Sequence, residues 1–203
     1  MANVSRPRGF VPLRYLDGSS WNGATNMYYI PSTDVNIYSP GDAVLSLAQS
    51  DANGVPGIVK CTVGTETPRG VAIAFLVAPP FGQSFQGITL DLAVQNLPAT
   101  KTKAYYALVV DDPQVLFEIQ DNGLSVIGTT SVNKNCSFTV VNPTSPAQNS
   151  ATVLLNSSVA TTQGLNLKLV GAVQRDDNDP TSVNAKWLVK FNQHELMGNT
   201  AGV

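Results

Sequence analysis

The apolar residues of this chain fall into short runs, and this spacing restricts the possible folds more than any other feature of the sequence. Clusters of Gly, Pro, Asn and Ser separate the runs, of which the clearest are GIVKCTV (57–63), GVAIAFLV (70–77), AYYALVV (104–110), QVLFEIQ (114–120) and AKWLVKF (185–191). No stretch long enough for a helix of several turns keeps an apolar stripe at helical spacing. Short strands separated by turn residues are typical of sandwiches and barrels. The sequence therefore predicts an all-β fold, a jelly-roll-like sandwich or barrel.

Two long connections interrupt the pattern of short strands. Residues 78–103 contain one weak strand candidate, ITLDLAV at 88–94, and residues 142–150 have the composition of a loop. Long loops in a compact domain are usually functional or mobile. No internal repeat and no change of composition divides the chain into two domains.

The surface is expected to be poor in charge. Charged residues make up only 13% of the 203-residue chain, about half the usual share, and Asn, Ser, Thr, Gln and Gly take their place. A neutral polar surface costs less to desolvate, which favours a protein that neighbouring molecules cover. A secreted β protein rich in Ser, Thr and Asn has the same composition, so composition alone leaves both interpretations open.

Charge and hydropathy argue against several classes of partner and location. The formal net charge of −2 gives no electrostatic footprint for nucleic acid. No apolar run is long enough to cross a membrane, and the N-terminus lacks the basic and apolar regions of a signal peptide. Without a secretory route, Cys61 and Cys136 are predicted to be buried free thiols.

Nothing in the sequence predicts catalysis, a cofactor or a bound metal. His194 is the only histidine, and its place just after a strand near the C-terminus indicates a surface or interface role rather than a catalytic one. The two cysteines and His194 do not have zinc-ligand spacing. The acidic segment 176–179 has oxygen ligands that suit calcium, but a solvated turn before Pro180 is the favoured interpretation. The chain is therefore not expected to be an enzyme.

The N-terminal stretch RPRGFVPLRYLDGSSWNG (6–23) is rich in large side chains but has no usable periodicity. Pro7 and Pro12 fix φ and remove backbone donors, which argues against a helix or a central strand. Such a segment cannot bury its own aromatic residues, so it either lies along a partner or packs back on its own domain. We predict an extended arm at 1–35 and a single β-rich body at 36–203 that folds without the arm.

The same stretch resembles the N-terminus of head decoration, or cement, proteins of tailed bacteriophages. The residues that carry the resemblance are Arg6-Pro7, Gly9-Phe10-Val11-Pro12, Tyr15-Leu16-Asp17-Gly18-Ser19 and Tyr29-Ile30-Pro31, followed by Gly41-Asp42-Ala43-Val44 and the segments 107–120 and 167–196. Residues 78–103 and 129–163 match poorly. The resemblance implies a virion protein that is assembled in the host cytoplasm, sits on the outer surface of the capsid and has no catalytic residues.

The resemblance also implies the partners. The major capsid protein is the expected partner, bound between its subunits through arm residues Arg6, Arg8, Phe10, Leu13, Arg14, Tyr15, Leu16, Trp21, Tyr28 and Tyr29. Other copies of the chain are the second expected partner. The runs at 104–110, 114–120, 167–173 and 185–191 carry few charges to protect an exposed strand edge, so a second copy is expected to cover whichever of them lies at the sheet margin. A dimer is slightly preferred over a trimer, because an isologous edge-to-edge pairing needs the fewest compatible surfaces.

Two other functions fit parts of the sequence. A phage tail or fibre component is also β-rich and would form a trimer with intertwined strands. A carbohydrate-binding β-sandwich would use Trp21, Trp187, Tyr105 and Tyr106 as a platform for sugars, although aromatic residues in strands more often belong to the core.

Overall fold

The computed structural model describes residues 3–76, 95–142 and 149–197, and strands dominate all three ranges. The strands are β1 (Val11–Tyr15), β2 (Asn26–Ile30), β3 (Asp42–Ser50), β4 (Pro56–Lys60), β5 (Gly70–Leu76), β6 (Tyr105–Val110), β7 (Val115–Gln120), β8 (Asn135–Cys136), β9 (Phe138–Thr139), β10 (Val153–Leu154), β11 (Leu167–Ala172) and β12 (Lys186–Phe191). Two 3₁₀ turns, Thr129–Ser131 and Asn156–Ser158, are the helical elements of the described residues. The all-β prediction is confirmed, while the weak strand candidate at 88–94 lies outside the described residues.

Five strands form a closed barrel in the order β2-β4-β3-β5-β6. All neighbours are antiparallel except β2 and β4, which meet in parallel at Tyr29 and Gly57. Successive residues of a strand point to opposite faces, so the inward residues fill the barrel. This interior includes Tyr28, Ile30, Tyr38, Val44, Ile58, Phe75 and Val109.

The other large sheet is antiparallel, with the order β1-β7-β12-β11-β8. The alternating residues Trp187, Val189 and Phe191 of β12 are buried on its inner face. They share one hydrophobic cluster with Ala43, Val71 and Val110, which point outward from the barrel strands. The sheet therefore packs against the side of the barrel, and one continuous core joins the two. A small sheet of β9 and β10 adds Phe138 and Leu154 to this core.

The structure corrects the expected boundary between an arm at 1–35 and a body at 36–203. Strand β1 pairs with β7 at the edge of the open sheet, and β2 pairs with β6 along five residues to close the barrel. Phe10 is 1% exposed and packs against the rings of Phe117, Phe138 and Phe191. The segment cannot bury its aromatic residues against itself, but it buries them against strands that are far away in sequence.

The structure also corrects the expectation about exposed strand edges. The runs at 104–110, 114–120, 167–173 and 185–191 contain β6, β7, β11 and β12, and each of these strands has a neighbour on both sides. The edges of the open sheet are β1 and the short β8. Strand β1 carries Pro12 and a shift of register between Pro12 and Arg14, two features that discourage pairing with another chain.

Both cysteines are buried free thiols, as the sequence predicts. Burial raises the pKa of Cys136 to about 12 and raises that of Cys61 well above its ordinary value.

Candidate protein-binding surface

Residues 3–9 lie beside the open sheet, and one buried side chain fixes their backbone. Gln120, the last residue of β7, is 5% exposed. Its Oε1 accepts a hydrogen bond from the Arg6 amide at 2.8 Å, and its Nε2 donates to the Val4 carbonyl at 2.9 Å. The same Nε2 donates to the Asn184 carbonyl at 2.9 Å. Gln120 therefore ties the N-terminal segment to both β7 and the turn before β12.

Gly9 is the point at which this segment passes from the surface into the core. Its φ is +66°, a value that favours glycine. A Cβ atom at this position would lie 2.3 Å from the Gly41 carbonyl oxygen, so no larger residue fits. The next residue, Phe10, donates its amide to that same carbonyl at 2.9 Å and points inward. Arg8, on the other side of the glycine, remains exposed.

A groove of about 450 Å³ lies between this segment and the outer face of the sheet. We call it the basic groove. Its lining residues are Val4, Arg6, Arg8, Gly9, Val11, Leu13, Glu118, Ile119, Gln120, Arg175, Asp177 and Lys186. The groove thus collects residues from the N-terminal segment, β1, β7, β12 and the connection between β11 and β12.

Two of the four cations in the basic groove are already paired. Arg175 contacts Glu118 at 2.9 Å and Asp177 at 3.1 Å, and Lys186 contacts Asp177 at 2.5 Å. The hydrogen bond from Lys186 is the main cause of the lowered pKa of Asp177. The hydrogen bond to Glu118 likewise raises the pKa of Arg175.

The other two cations, Arg6 and Arg8, form no ion pair within the part of the chain that the structure describes. They leave the groove with two uncompensated positive charges on a chain whose net charge is −2. A guanidinium group binds a carboxylate through two parallel hydrogen bonds. The arrangement therefore suits a partner that presents acidic side chains.

The ten residues predicted to bind a partner do not form one surface. Arg6, Arg8 and Leu13 line the basic groove, whereas Tyr15 and Leu16 line a separate depression of about 650 Å³ near Gln114. The remaining five residues differ in exposure: Arg14 is exposed, Trp21 and Tyr29 are partly buried, and Phe10 and Tyr28 are buried.

Phe10 and Tyr28 cannot contact a partner without unfolding of the chain, because they belong to the cores of the sheet and the barrel. Sequence reasoning missed Arg175, Lys186 and Glu118. No local motif marks these residues, since only the pairing of β7 with β12 brings them beside Arg6.

A second polar cluster lies at the end of the barrel. The Tyr28 hydroxyl donates to Asp111 Oδ2 at 2.6 Å and accepts from Arg69 Nε at 2.9 Å. Asn26 Nδ2 donates to both oxygens of Asp111, at 2.9 and 3.1 Å. Burial and the neighbouring Asp111 raise the pKa of Tyr28 to about 12. The donors and acceptors satisfy one another, which is typical of a structural network.

His194 is buried rather than on the surface, which corrects the expectation from its position in the sequence. It is 2% exposed, its Nδ1 accepts a hydrogen bond from the Leu196 amide at 3.0 Å, and its ring packs on Phe191. Burial lowers its pKa to about 4. The imidazole is therefore neutral at physiological pH and shielded from water.

The structure also argues against the two other sites considered. Trp187, Tyr105 and Tyr106 are buried, so they cannot form a platform for sugars. In the acidic turn, Asp179 accepts hydrogen bonds from the Thr181 and Ser182 side chains, as expected for a turn. Within residues 3–76, 95–142 and 149–197, no group of three or more His, Cys, Asp or Glu residues is arranged to hold a metal ion.

Comparison of the chain with protein-family models, with curated proteins and with solved structures found no match. In the three described ranges, no helix has the length and apolar character needed to cross a membrane.

Proposed function

We propose that this protein is a structural, non-enzymatic component of a tailed-bacteriophage virion. It decorates the outer surface of the icosahedral head and stabilises the head by binding between subunits of the major capsid protein. The observation that carries the proposal is the placement of the N-terminal segment, which bears the resemblance to head decoration proteins. Its backbone is fixed beside the open sheet, and it presents Arg6 and Arg8 next to the basic groove.

A fixed segment is better suited to binding than a flexible arm. Ordering a free chain costs about 1–2 kcal/mol per residue. Because the contacts with Gln120 and Gly41 already order the segment in the folded protein, binding does not have to supply this free energy. Binding then requires only the ordering of the two arginine side chains. A charge-assisted hydrogen bond contributes about 1.5–3 kcal/mol, so each copy binds modestly. Contacts between neighbouring copies on a shell add to this.

The low charge of the chain supports lateral contacts between copies. Only 13% of the residues are charged, and neutral polar surfaces cost little to desolvate when molecules pack side by side. Because the long strands have neighbours on both sides, these contacts involve loops rather than strand edges. A dimer remains slightly preferred over a trimer as the repeating unit.

Co-sedimentation with empty heads of the same phage tests the proposal. The double variant Arg6→Ala/Arg8→Ala should bind heads at least about tenfold more weakly than the native chain, a loss of about 1.4 kcal/mol. The matched control Lys103→Ala/Lys168→Ala removes the same charge from exposed positions outside the groove and should bind normally. Added salt should weaken the native interaction.

Equal binding by the two double variants would contradict the assignment of the basic groove. A native chain that sediments with purified tails and not with heads would favour the alternative, a tail or fibre component.

A further inference from the structure

Two side chains meet one buried lysine in an arrangement that suits a covalent cross-link between side chains. Lys60 is 3% exposed at the end of β4, and its Nζ lies 2.7 Å from Oδ2 of Asp42, which is fully buried. The same Nζ donates to the side-chain carbonyl oxygen of Asn142 at 2.8 Å and to the main-chain carbonyl oxygen of Ile37 at 3.0 Å. Asn142 lies just after β9 and is exposed. A nucleophile, an acid–base group and a carboxamide therefore meet at one atom.

We propose that Lys60 and Asn142 form an intramolecular isopeptide bond, with Asp42 as the group that transfers protons. The inference is independent of the proposed capsid role. It concerns a modification of the chain itself, and the result of its test leaves the function of the basic groove open.

The reaction needs no oxidant and no cofactor. Asp42 takes one proton from Nζ, and the freed lone pair attacks Cγ of Asn142. A second proton passes from Nζ through Asp42 to the carboxamide nitrogen, the C–N bond to that nitrogen breaks, and ammonia leaves. The ammonia carries away the remaining proton as ammonium. One C–N bond forms and one breaks, so atoms and charge balance.

The surroundings of Asp42 favour this role. Its Oδ2 accepts a hydrogen bond from the Ser39 amide at 2.8 Å, but its Oδ1 is buried and has no hydrogen-bond partner among the described residues. A buried carboxylate oxygen that lacks a donor is costly. In the proposed reaction, the transfer of a proton from Lys60 to Asp42 gives the neutral amine that attacks Asn142. The exposure of Asn142 gives the ammonia a path to water.

The other buried lysine with an ion pair shows what is special about Lys60. Lys101 Nζ contacts Asp34 Oδ1 at 3.0 Å and the main-chain carbonyls of Asp34 and Asn36 at 3.0 and 2.7 Å. Its contacts with the described part of the chain include no side-chain carboxamide. An attack on a main-chain carbonyl would cut the chain, so Lys101 has a carboxylate partner but no suitable group to react with. It serves as an internal control.

The mass of the intact, purified full chain tests the proposal without any variant. We expect it to fall short of the sequence mass by one ammonia molecule. A tryptic digest should yield a branched peptide that contains residues 60 and 142, with no cleavage after Lys60. An unmodified mass together with cleavage after Lys60 would overturn the proposal.

Variants separate this bond from other losses of ammonia, such as succinimide formation at Asn53-Gly54 or Asn122-Gly123. Lys60→Arg keeps a cation beside Asp42 but removes the nucleophile, so the full sequence mass should return. Lys101→Arg should still lack one ammonia. If Lys60→Arg does not fold, Asn142→Ala changes an exposed residue and should also restore the mass. A loss of ammonia that persists in Asn142→Ala would refute the cross-link.

Discussion

Strands β1 and β2 come from the same N-terminal segment, but they have opposite roles in the structure. Strand β1 pairs with one strand, β7, and none of its five residues is buried. Its other edge carries only the turn that follows it, which bridges back from Ser20 to Arg14. Strand β2 has a neighbour on each side and contributes two buried residues, Tyr28 and Ile30, to the barrel interior. One strand belongs to the surface, and the other belongs to the core.

This difference shows which part of the segment is available to a partner. A strand that closes a barrel cannot leave its neighbours without exposing two strand edges and the barrel interior. An edge strand can present its outward side chains while it stays in place. Any surface function of the N-terminal segment therefore belongs to residues 3–21, which precede β2.

The largest effect should come from removing both strands. A chain that lacks residues 1–30 loses β1, β2 and Phe10, so the barrel opens between β4 and β6. We expect no cooperative thermal unfolding, as followed by circular dichroism or calorimetry. A chain that lacks only residues 1–5 should unfold cooperatively, because Gly9, Phe10 and both strands remain. Cooperative unfolding after the longer deletion would show that β2 is dispensable and would restore the original picture of a separate arm.

Two single substitutions next to β1 should differ in their effect on stability, because Phe10 is buried in the core and Leu16 is exposed. Phe10→Ala leaves a cavity among three other phenylalanine rings and should lower the free energy of unfolding by about 3–5 kcal/mol. Leu16→Ala, at a residue 50% exposed, should lower it by less than about 0.5 kcal/mol. Denaturant titration measures both values. Similar losses in the two variants would mean that β1 is held along its whole length rather than at Phe10.

The sequence predicted the strands better than it predicted their partners. The runs that became β5, β6, β7 and β12 were recognised because apolar, β-branched residues fill them between turn residues. The role of residues 6–30 was missed because Pro12 argues against a central strand but not against an edge strand.

The residues of the basic groove were only partly predictable. Arg6 and Arg8 stood out through their neighbours Pro7 and Gly9. Arg175 and Lys186 belong to a different part of the chain, and their position beside the N-terminal segment follows from strand pairing, which no local pattern specifies.

His194 packs on the core of the open sheet and should make stability depend on pH. Its ring packs on Phe191, a neighbour of Phe10, and Asp111, the partner of Tyr28, is among the charges that act on it. Its pKa is about 4 in the folded chain against an ordinary value of 6.5, so the unfolded chain binds the proton more tightly. The stabilisation is complete above pH 6.5 and is lost as the pH falls towards 4, by about 3 kcal/mol at most.

The variant His194→Asn can accept the same hydrogen bond but does not titrate, so it isolates this effect. Its stability should change less than that of the native chain between pH 6.5 and 4. The pKa of Asp179, lowered to about 2, places that titration below this window. Identical pH profiles of the native chain and the variant would show that His194 is not the group responsible.

The smallest expected change in the free energy of unfolding comes from removing the hydroxyl group of one tyrosine in each strand, Tyr28 in β2 and Tyr15 in β1. The Tyr28 hydroxyl is shared by Asp111 and Arg69 in a buried network. The Tyr15 ring packs against the core of the sheet, but its hydroxyl donates to Asn22 at 3.1 Å in an exposed position. Tyr28→Phe leaves a buried carboxylate with one donor fewer and should cost about 1.5–3 kcal/mol of unfolding free energy. Tyr15→Phe removes a bond that water replaces and should cost less than about 0.5 kcal/mol. Both substitutions delete a single oxygen atom, so denaturant midpoints can be compared directly. Equal losses of unfolding free energy in the two variants would mean that water reaches the end of the barrel and solvates Asp111. The contrast between a surface strand and a core strand would then rest on Phe10 and Ile30 alone.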